Sequence, residues 1–424
     1  MMETIKKRPL LSGLLILFLA AMMFANIGGN MFGPLMPLYL KDLDADIKQI
    51  GLFFTLAQIV PLFLQILGGW ISDSLGRLRA IAIGSVFGLL GFIPLVLADT
   101  WQWLLLAVAI SAVAGALVGP SFDAFIAEHS SDENRGKVYG VSQAIFMIVG
   151  VVGPPLGGWL TGAYGFKLML LVAGVFYAVA VVIRLGMARE AAKGETANGE
   201  KKSLSFTSLK SNLGAMAALI FGGGLITWML ITDGLRDISF QFSGNLFPVF
   251  MQESGGLTYQ QIGWVTSVFG IFMMLSTIPG GWLSDKAGER VPIAMGMALL
   301  SSALFILINI PQGTQYQWMF FLGWAVAGLG AGISGPAYQS LISKAVPQKL
   351  RGLAFGLFST SLGVFSLPAP WIGAQLWDRF GPTTPFKITA IVLMLSVIPI
   401  WLKFKLPKVE APIVDETVIP VAAD

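Results

Sequence analysis

Cysteine is absent from the 424 residues. Disulfides, thiol nucleophiles and cysteine-based metal sites are thereby excluded. Charge is scarce: Asp, Glu, Lys and Arg supply 12% of the chain, about half the share usual in a soluble domain. Histidine occurs once, as His129 beside Glu128. One imidazole without ligand partners is not a metal site, and His129 reads as a loop residue. No Gly-x-x-x-x-Gly-Lys-Ser/Thr run is present, so ATP is not the direct driver of whatever the protein does. A nucleophile elbow and a zinc-binding His-Glu-x-x-His are also missing. No enzymatic activity and no cofactor are expected. Strand-like alternation is absent, as is any polar stretch large enough for a soluble domain. The net charge of +4 sits in short loops, which argues against a nucleic-acid partner.

What remains is apolar. The chain is 55% hydrophobic with mean hydropathy +0.76. Runs of about 20 apolar residues, enough to cross a bilayer, recur along its length. Lipid is therefore the solvent, and helices satisfy their own backbone groups there. The first run follows Lys6-Lys7-Arg8 and continues to about Leu40, too long for a signal-peptide core. Breaks between runs predict spans at roughly 10–34, 50–71, 80–98, 101–126, 139–162 and 166–186, then 222–250, 260–283, 291–310, 316–342, 353–376 and 386–404. The expectation is an all-α membrane protein of twelve spans in two bundles, 1–187 and 211–406. A polar linker, 188–210, joins them, and a disordered tail, 407–424, follows.

Basic residues concentrate on one side, in the loops that carry Arg77, Arg79, Arg135, Lys137, Arg184, Lys286, Arg290, Lys344 and the linker lysines. The opposite loops hold Asp42, Asp44, Asp46, Asp99, Glu253 and Asp378 with few cations. Positive-inside places both termini in the cytoplasm of a multi-pass plasma (inner) membrane protein. The segment 211–250 admits two courses, since forty helical residues would measure about 60 Å. Either 211–221 extends from a span at 222–250, or 213–232 crosses and 236–250 lies outside. The first is favoured because Gly244-Asn245-Leu246-Phe247 echoes Gly29-Asn30-Met31-Phe32.

The chain repeats itself. Gly68-Gly69-Trp70-Ile71-Ser72-Asp73-Ser74-Leu75-Gly76-Arg77 returns as Gly280-Gly281-Trp282-Leu283-Ser284-Asp285-Lys286-Ala287-Gly288-Glu289. Gly119-Pro120 matches Gly335-Pro336, Arg135-Gly136 matches Arg351-Gly352, and Pro154 matches Pro370, all at one further offset. Two parallel halves are the ground plan of many secondary transporters. The stretch Gly69 to Arg79 resembles the loop motif between spans two and three of the major facilitator superfamily, with Ser74 and Leu78 departing from its basic positions. The resemblance covers nearly the whole chain outside the tail. It implies a charge cluster of Asp73, Arg77 and Asp123 that locks the outward-facing state, with Gly76 giving the turn. Asp285 would serve the second half. There Glu289 stands at the Arg77 position and Gln339 at the Asp123 position, so the second lock is expected to be weaker or absent.

Gly153-Pro154-Pro155-Leu156-Gly157-Gly158 is similar to the signature of drug–proton antiporters in that superfamily, although Val149 replaces an upstream glycine. Glycines there thin a packing face. Asp233, Arg236 and Asp237 share one helix face at spacings of three and four. Charges inside lipid cost several kcal/mol unless paired, so the triad is a proton-coupling or substrate candidate, or a neutralised structural pair. Asn26, Asn30, Gln58, Gln65 and Gln143 offer amides to neighbouring helices, and the resemblance implies that span one lines the cavity, which makes Asn26 and Asn30 proton-coupling or substrate candidates as well. With 18 Met and 30 Phe, an adaptable apolar pocket or ordinary helix packing both fit. The leading expectation is a monomeric, proton-coupled exporter of small apolar or amphipathic molecules. A sugar or metabolite carrier is the alternative within transport, and a non-transporting receptor the alternative outside it.

Overall fold

The computed structural model describes residues 13–64, 76–130, 134–194, 223–311, 313–346 and 365–404. Residues 195–210 of the linker, the tail, Asp73 and Gln65 lie outside the described residues, and 188–194 continue the helix that begins at Arg135. In chain order the helices are α1 (Gly13–Phe32), α2 (Met36–Asp42), α3 (Ile47–Ala57), α4 (Arg77–Leu90), α5 (Phe92–Leu97), α6 (Gln102–His129) and α7 (Arg135–Gly194). The second series is α8 (Leu225–Ser243), α9 (Phe247–Glu253), α10 (Tyr259–Ala287), α11 (Arg290–Ile308), α12 (Trp318–Ala345), α13 (Ala369–Phe380) and α14 (Thr384–Lys403). No strand occurs among the described residues. Nine described stretches are long and apolar enough to cross a membrane. One of them, α7, holds two predicted spans joined at Gly165, whose φ of 82° breaks the helix. The charged α8–α9 unit and α13 complete the twelve.

The repeat is built into the backbone. Leu225 to Glu253 is α8, a 3-10 turn Gly244–Leu246, then α9. The same sequence of elements occurs at the start: α1, a 3-10 turn Gly33–Leu35, then α2. The triad therefore lies within a span, as the first of the two courses requires. Capping boxes open α3 at Asp46–Gln49 and α10 at Thr258–Gln261, each satisfying two end donors that lipid could not. Gly76 and Gly288 sit at φ 85° and 80°, a backbone region open to glycine and strained for other residues.

Glycine contacts join the helices within each half and across the molecule. A Cβ on Gly157 of α7 would lie 1.9 Å from the Met31 carbonyl oxygen, and one on Gly373 of α13 would lie 2.0 Å from that of Phe242. Between halves, Gly51 of α3 abuts Pro370 and Ala374, while Gly263 of α10 abuts Pro154 and Pro155. Thr55 Oγ1 accepts from the Trp371 amide at 3.2 Å, and Ser267 Oγ donates to the Val151 carbonyl at 2.5 Å. Ion pairs Lys41–Glu253 (2.7 Å) and Lys48–Asp378 (2.9 Å) cap this sealed end. Toward the opposite end, marked by Gly76 and Gly288, open space surrounds Gly136, Gly140 and Gly281. The contacts between halves named above all lie toward the sealed end.

Candidate functional site

Each half encloses a cavity at equivalent positions. In the second half, α8, α9, α11 and α12 surround about 670 Å³. Phe247, Phe269, Trp324, Met251 and Met297 supply much of the wall, and Asp233, Arg236 and Tyr338 the polar edge. In the first half, about 690 Å³ is bordered by Phe32, Met36, Ser111 and Asp123. The pairs Met36/Phe247, Ser111/Ala327 and Asp123/Gln339 occupy matching places in the two linings.

The triad sits about 12 to 18 Å along α8 from Leu225, at 1.5 Å per residue. Arg236 Nη2 lies 2.6 Å from Asp233 Oδ1 and 2.9 Å from Asp237 Oδ1. Arg236 Nε also donates to Asp237 at 3.1 Å. The guanidinium stands over the Tyr338 ring, 5.2 Å from its centroid. Asp233 is buried, and its Oδ1 accepts no aligned hydrogen bond despite the close approach of Arg236. One cation thus faces two carboxylates, and the more buried carboxylate keeps acceptor capacity at the cavity edge.

Arg77 is not opposite Asp123. Its Nε donates to Glu128 Oε1 at 3.2 Å. Glu128 is five residues beyond Asp123, about 140° round α6 at 100° per residue. With Glu128 turned to α4, Asp123 is turned to the first-half cavity. There it makes no ion pair among the described residues, and Tyr139 donates to its backbone carbonyl at 2.8 Å. Glu128 is thus a partner of Arg77 in this conformation, and Asp73 of the expected cluster lies outside the described residues.

In the second half, where the lock is expected to be weaker or absent, an ion pair stands at the equivalent place. Lys344 Nζ contacts Glu289 Oε1 at 2.5 Å, and Ser340 Oγ donates to the same oxygen at 3.1 Å. Glu289 and Lys344 are the counterparts of Arg77 and Glu128, with the charges exchanged. Burial pushes the Glu289 carboxyl up, but hydrogen bonds from Lys344 and Ser340 outweigh it and hold the group below its usual range. Asp285 is exposed and forms no ion pair among the described residues.

Other expected positions act as packing. Gly153 and Gly157 press against Asn30 and Met31 of α1, while Gly158 presses on Tyr259 of α10. Pro154, beside them, meets Gly263. Asn26 and Asn30 each donate one turn back, to the Met22 and Asn26 carbonyls, rather than to another helix. His129 stacks on Phe125 at 4.0 Å, and no metal-binding group occurs among the described residues. Arg184, assigned to a loop by its sequence position, is buried and donates to Ser85 Oγ at 2.7 Å.

A twofold-repeated helical chain with a cavity in each half and a seal at one end is the architecture of a membrane transporter. The family model of the Major Facilitator Superfamily matches residues 14–235 and 229–418, and the chain belongs to that superfamily. It is an integral membrane transporter of small molecules. It is 25% identical over 378 residues to the tetracycline resistance protein, class E, of Escherichia coli, spanning 88% of each chain. It is 28% identical over 385 residues to the multidrug resistance protein MdtG of Yersinia enterocolitica, spanning 86% of each. Among solved structures, a mutant of the nucleoside transporter NupG superposes with TM-score 0.74 at 16% identity, over 93% of this chain and 100% of the other. A bacterial homologue of the iron transporter ferroportin superposes with TM-score 0.73 at 14% identity, over 92% and 98%.

Proposed function

We propose that the protein exports small apolar or amphipathic compounds in exchange for protons, by alternating access. The observation that carries this reading is the second-half cavity, whose Phe, Trp and Met wall meets a buried, partly unsatisfied carboxylate. Apolar walls take varied hydrophobic shapes, and Met adapts to them. Polar side chains are present in the lining, Asp233, Arg236, Thr266, Ser334, Tyr338 and Gln339, but most of the wall is apolar. The names of the tetracycline and multidrug resistance relatives support the same direction of transport. In this reading both termini are cytoplasmic, the monomer is the working unit, 1–187 and 211–406 are the rocking bundles, and no nucleic acid takes part. The sealed end then faces outward, and the cleft opens to the cytoplasm.

Asp233 and Asp237 are the proposed proton carriers. A carboxylate that loses water is most cheaply carried through lipid as the neutral acid. Arg236 holds one of the two ionised, and the other exchanges the proton. The pair Arg77–Glu128, with Gly76 and Asp123, is the proposed first-half conformational lock, to which Asp73 is assigned by its place in the sequence motif. Glu289–Lys344, beside Asp285, is its counterpart. Reconstitution in liposomes under an imposed pH gradient tests the coupling. Asp233→Asn and Asp237→Asn should abolish uphill export of lipophilic cations while sparing downhill exchange. Wild-type uphill transport in both variants would remove the triad from the proton path.

A further inference from the structure

Three tryptophans at the cleft end each carry a cation. Lys286 Nζ lies 4.1 Å from the Trp282 ring centroid, Arg290 lies 4.8 Å from that of Trp401, and Lys403 lies 5.4 Å from that of Trp228. The pairs form one arc. Trp228 and Lys403 join α8 to α14, Trp401 and Arg290 join α14 to α11, and Lys286 stands one short turn away on α10. Helix packing agrees, since α14 lies against both α8 and α11. Trp282 is 59% exposed and Trp401 48%, so both rings face what surrounds the bundle.

The charges on this arc are uncompensated. None of the three cations forms an ion pair among the described residues. Asp285, next to Lys286 in sequence, forms no ion pair with it. The first half lacks the arrangement: Ser74 stands where Lys286 does and Leu78 where Arg290 does. Tryptophan favours the depth at which lipid headgroups begin. Lys and Arg donate to phosphate oxygens, and a ring beneath the cation keeps the side chain extended along the surface.

We propose that this arc is a seat for the headgroups of anionic phospholipids. The phosphate accepts from Lys286, Arg290 and Lys403, and the acyl chains lie along Trp282 and Trp401. The inference goes beyond the transport reading and does not depend on it. Each basic residue at an anionic surface contributes about fivefold, so three give a preference of up to roughly a hundredfold.

The full chain reconstituted in vesicles tests this by tryptophan quenching. Brominated phosphatidylglycerol in a phosphatidylcholine bilayer should quench at lower mole fraction than brominated phosphatidylcholine. The triple variant Lys286→Gln, Arg290→Gln, Lys403→Gln should lose that preference, and Lys387→Gln at the sealed end should keep it. If the triple variant fails to insert, Arg290→Gln and Lys403→Gln alone should each reduce the preference about fivefold, while Arg290→Lys retains it. Equal quenching by the two lipids in the parent, an unchanged preference in the triple variant, or displacement by soluble glycerol phosphate would each overturn the proposal.

Discussion

Replacing Gly263 by alanine should shift the protein away from the sealed conformation. The added Cβ would stand 2.4 Å from the Pro154 carbonyl oxygen, 2.9 Å from its carbon and 3.0 Å from Pro155 Cα. Ordinary contact needs about 3.5 Å, so a backbone on the other half must retreat by roughly 1 Å. Overpacking of this kind costs about 1–3 kcal/mol. The helix-propensity gain of alanine over glycine, about 1 kcal/mol, is the same in both conformations and cancels. The sealed-to-open ratio should therefore fall by roughly 5- to 150-fold. The cysteine-free chain allows spin labels at Asp42→Cys and Arg379→Cys, one on each half at the sealed end. Pulsed electron paramagnetic resonance should show a longer distance gaining weight in Gly263→Ala. Gly281→Ala, on the same helix with nothing within 4 Å of its Cβ, should leave the distribution unchanged. A Gly263→Ala distribution identical to the parent, in folded protein, would refute the assignment of this glycine to the seal.

The inverted ion pair gives a stability test: Glu289→Lys or Lys344→Glu alone should cost about 1–3 kcal/mol in thermal unfolding, and the double exchange should recover most of it. No recovery would show that the two residues do not act as a pair. Its pH dependence follows from the sign of the shift. Glu289 is held below its ordinary value of 4.5, so its contribution is full above that pH and fades as pH falls through the lower folded value. The stability gap between the parent and Glu289→Gln should be flat near neutrality and close only in acid. A gap that closes on moving to alkaline pH near 8, where both groups keep their charge, would contradict the assignment. Orientation is tested with an impermeant thiol reagent on intact cells: cysteine at Asp42 should label, and cysteines at Ser203 and Ala422 should not. Ala45, in the same loop, is buried and would be a poor reporter.

The spans and the repeat were legible because lipid imposes length and hydropathy on every crossing, and because duplicated turns need the same glycines. The echo of Gly29-Asn30-Met31-Phe32 in Gly244-Asn245-Leu246-Phe247 was out of register by four residues: the first stretch ends α1, and the turn equivalent to Gly244–Leu246 is Gly33–Leu35. Side-chain partners were less legible. Glu128 and Asp123 both sit on α6, and only the rotation of that helix against α4 decides which meets Arg77. Lys344 stands at the Glu128 offset, 216 residues on, but a lysine in place of a glutamate does not show as a repeat in the sequence. Arg184 was read as a loop cation because a charge near a span end normally reaches water, whereas here Ser85 receives it inside the bundle. The interhalf contacts at Gly51 and Gly263 could not be foreseen, because a missing side chain does not announce which helix will fill its place.

The exchanged charges at Arg77–Glu128 and Glu289–Lys344 constrain how the two halves could have diverged. If both descend from one duplicated unit, no single substitution converts a working pair of one polarity into the other. Each one-step path passes through two acids or two bases facing each other, with one member of the second-half pair buried. The route must have crossed a neutral residue at one position, or relied on the intact half while the other was unpaired. A chain with two copies of a device can take that route, because one copy holds the fold while its twin is rewritten.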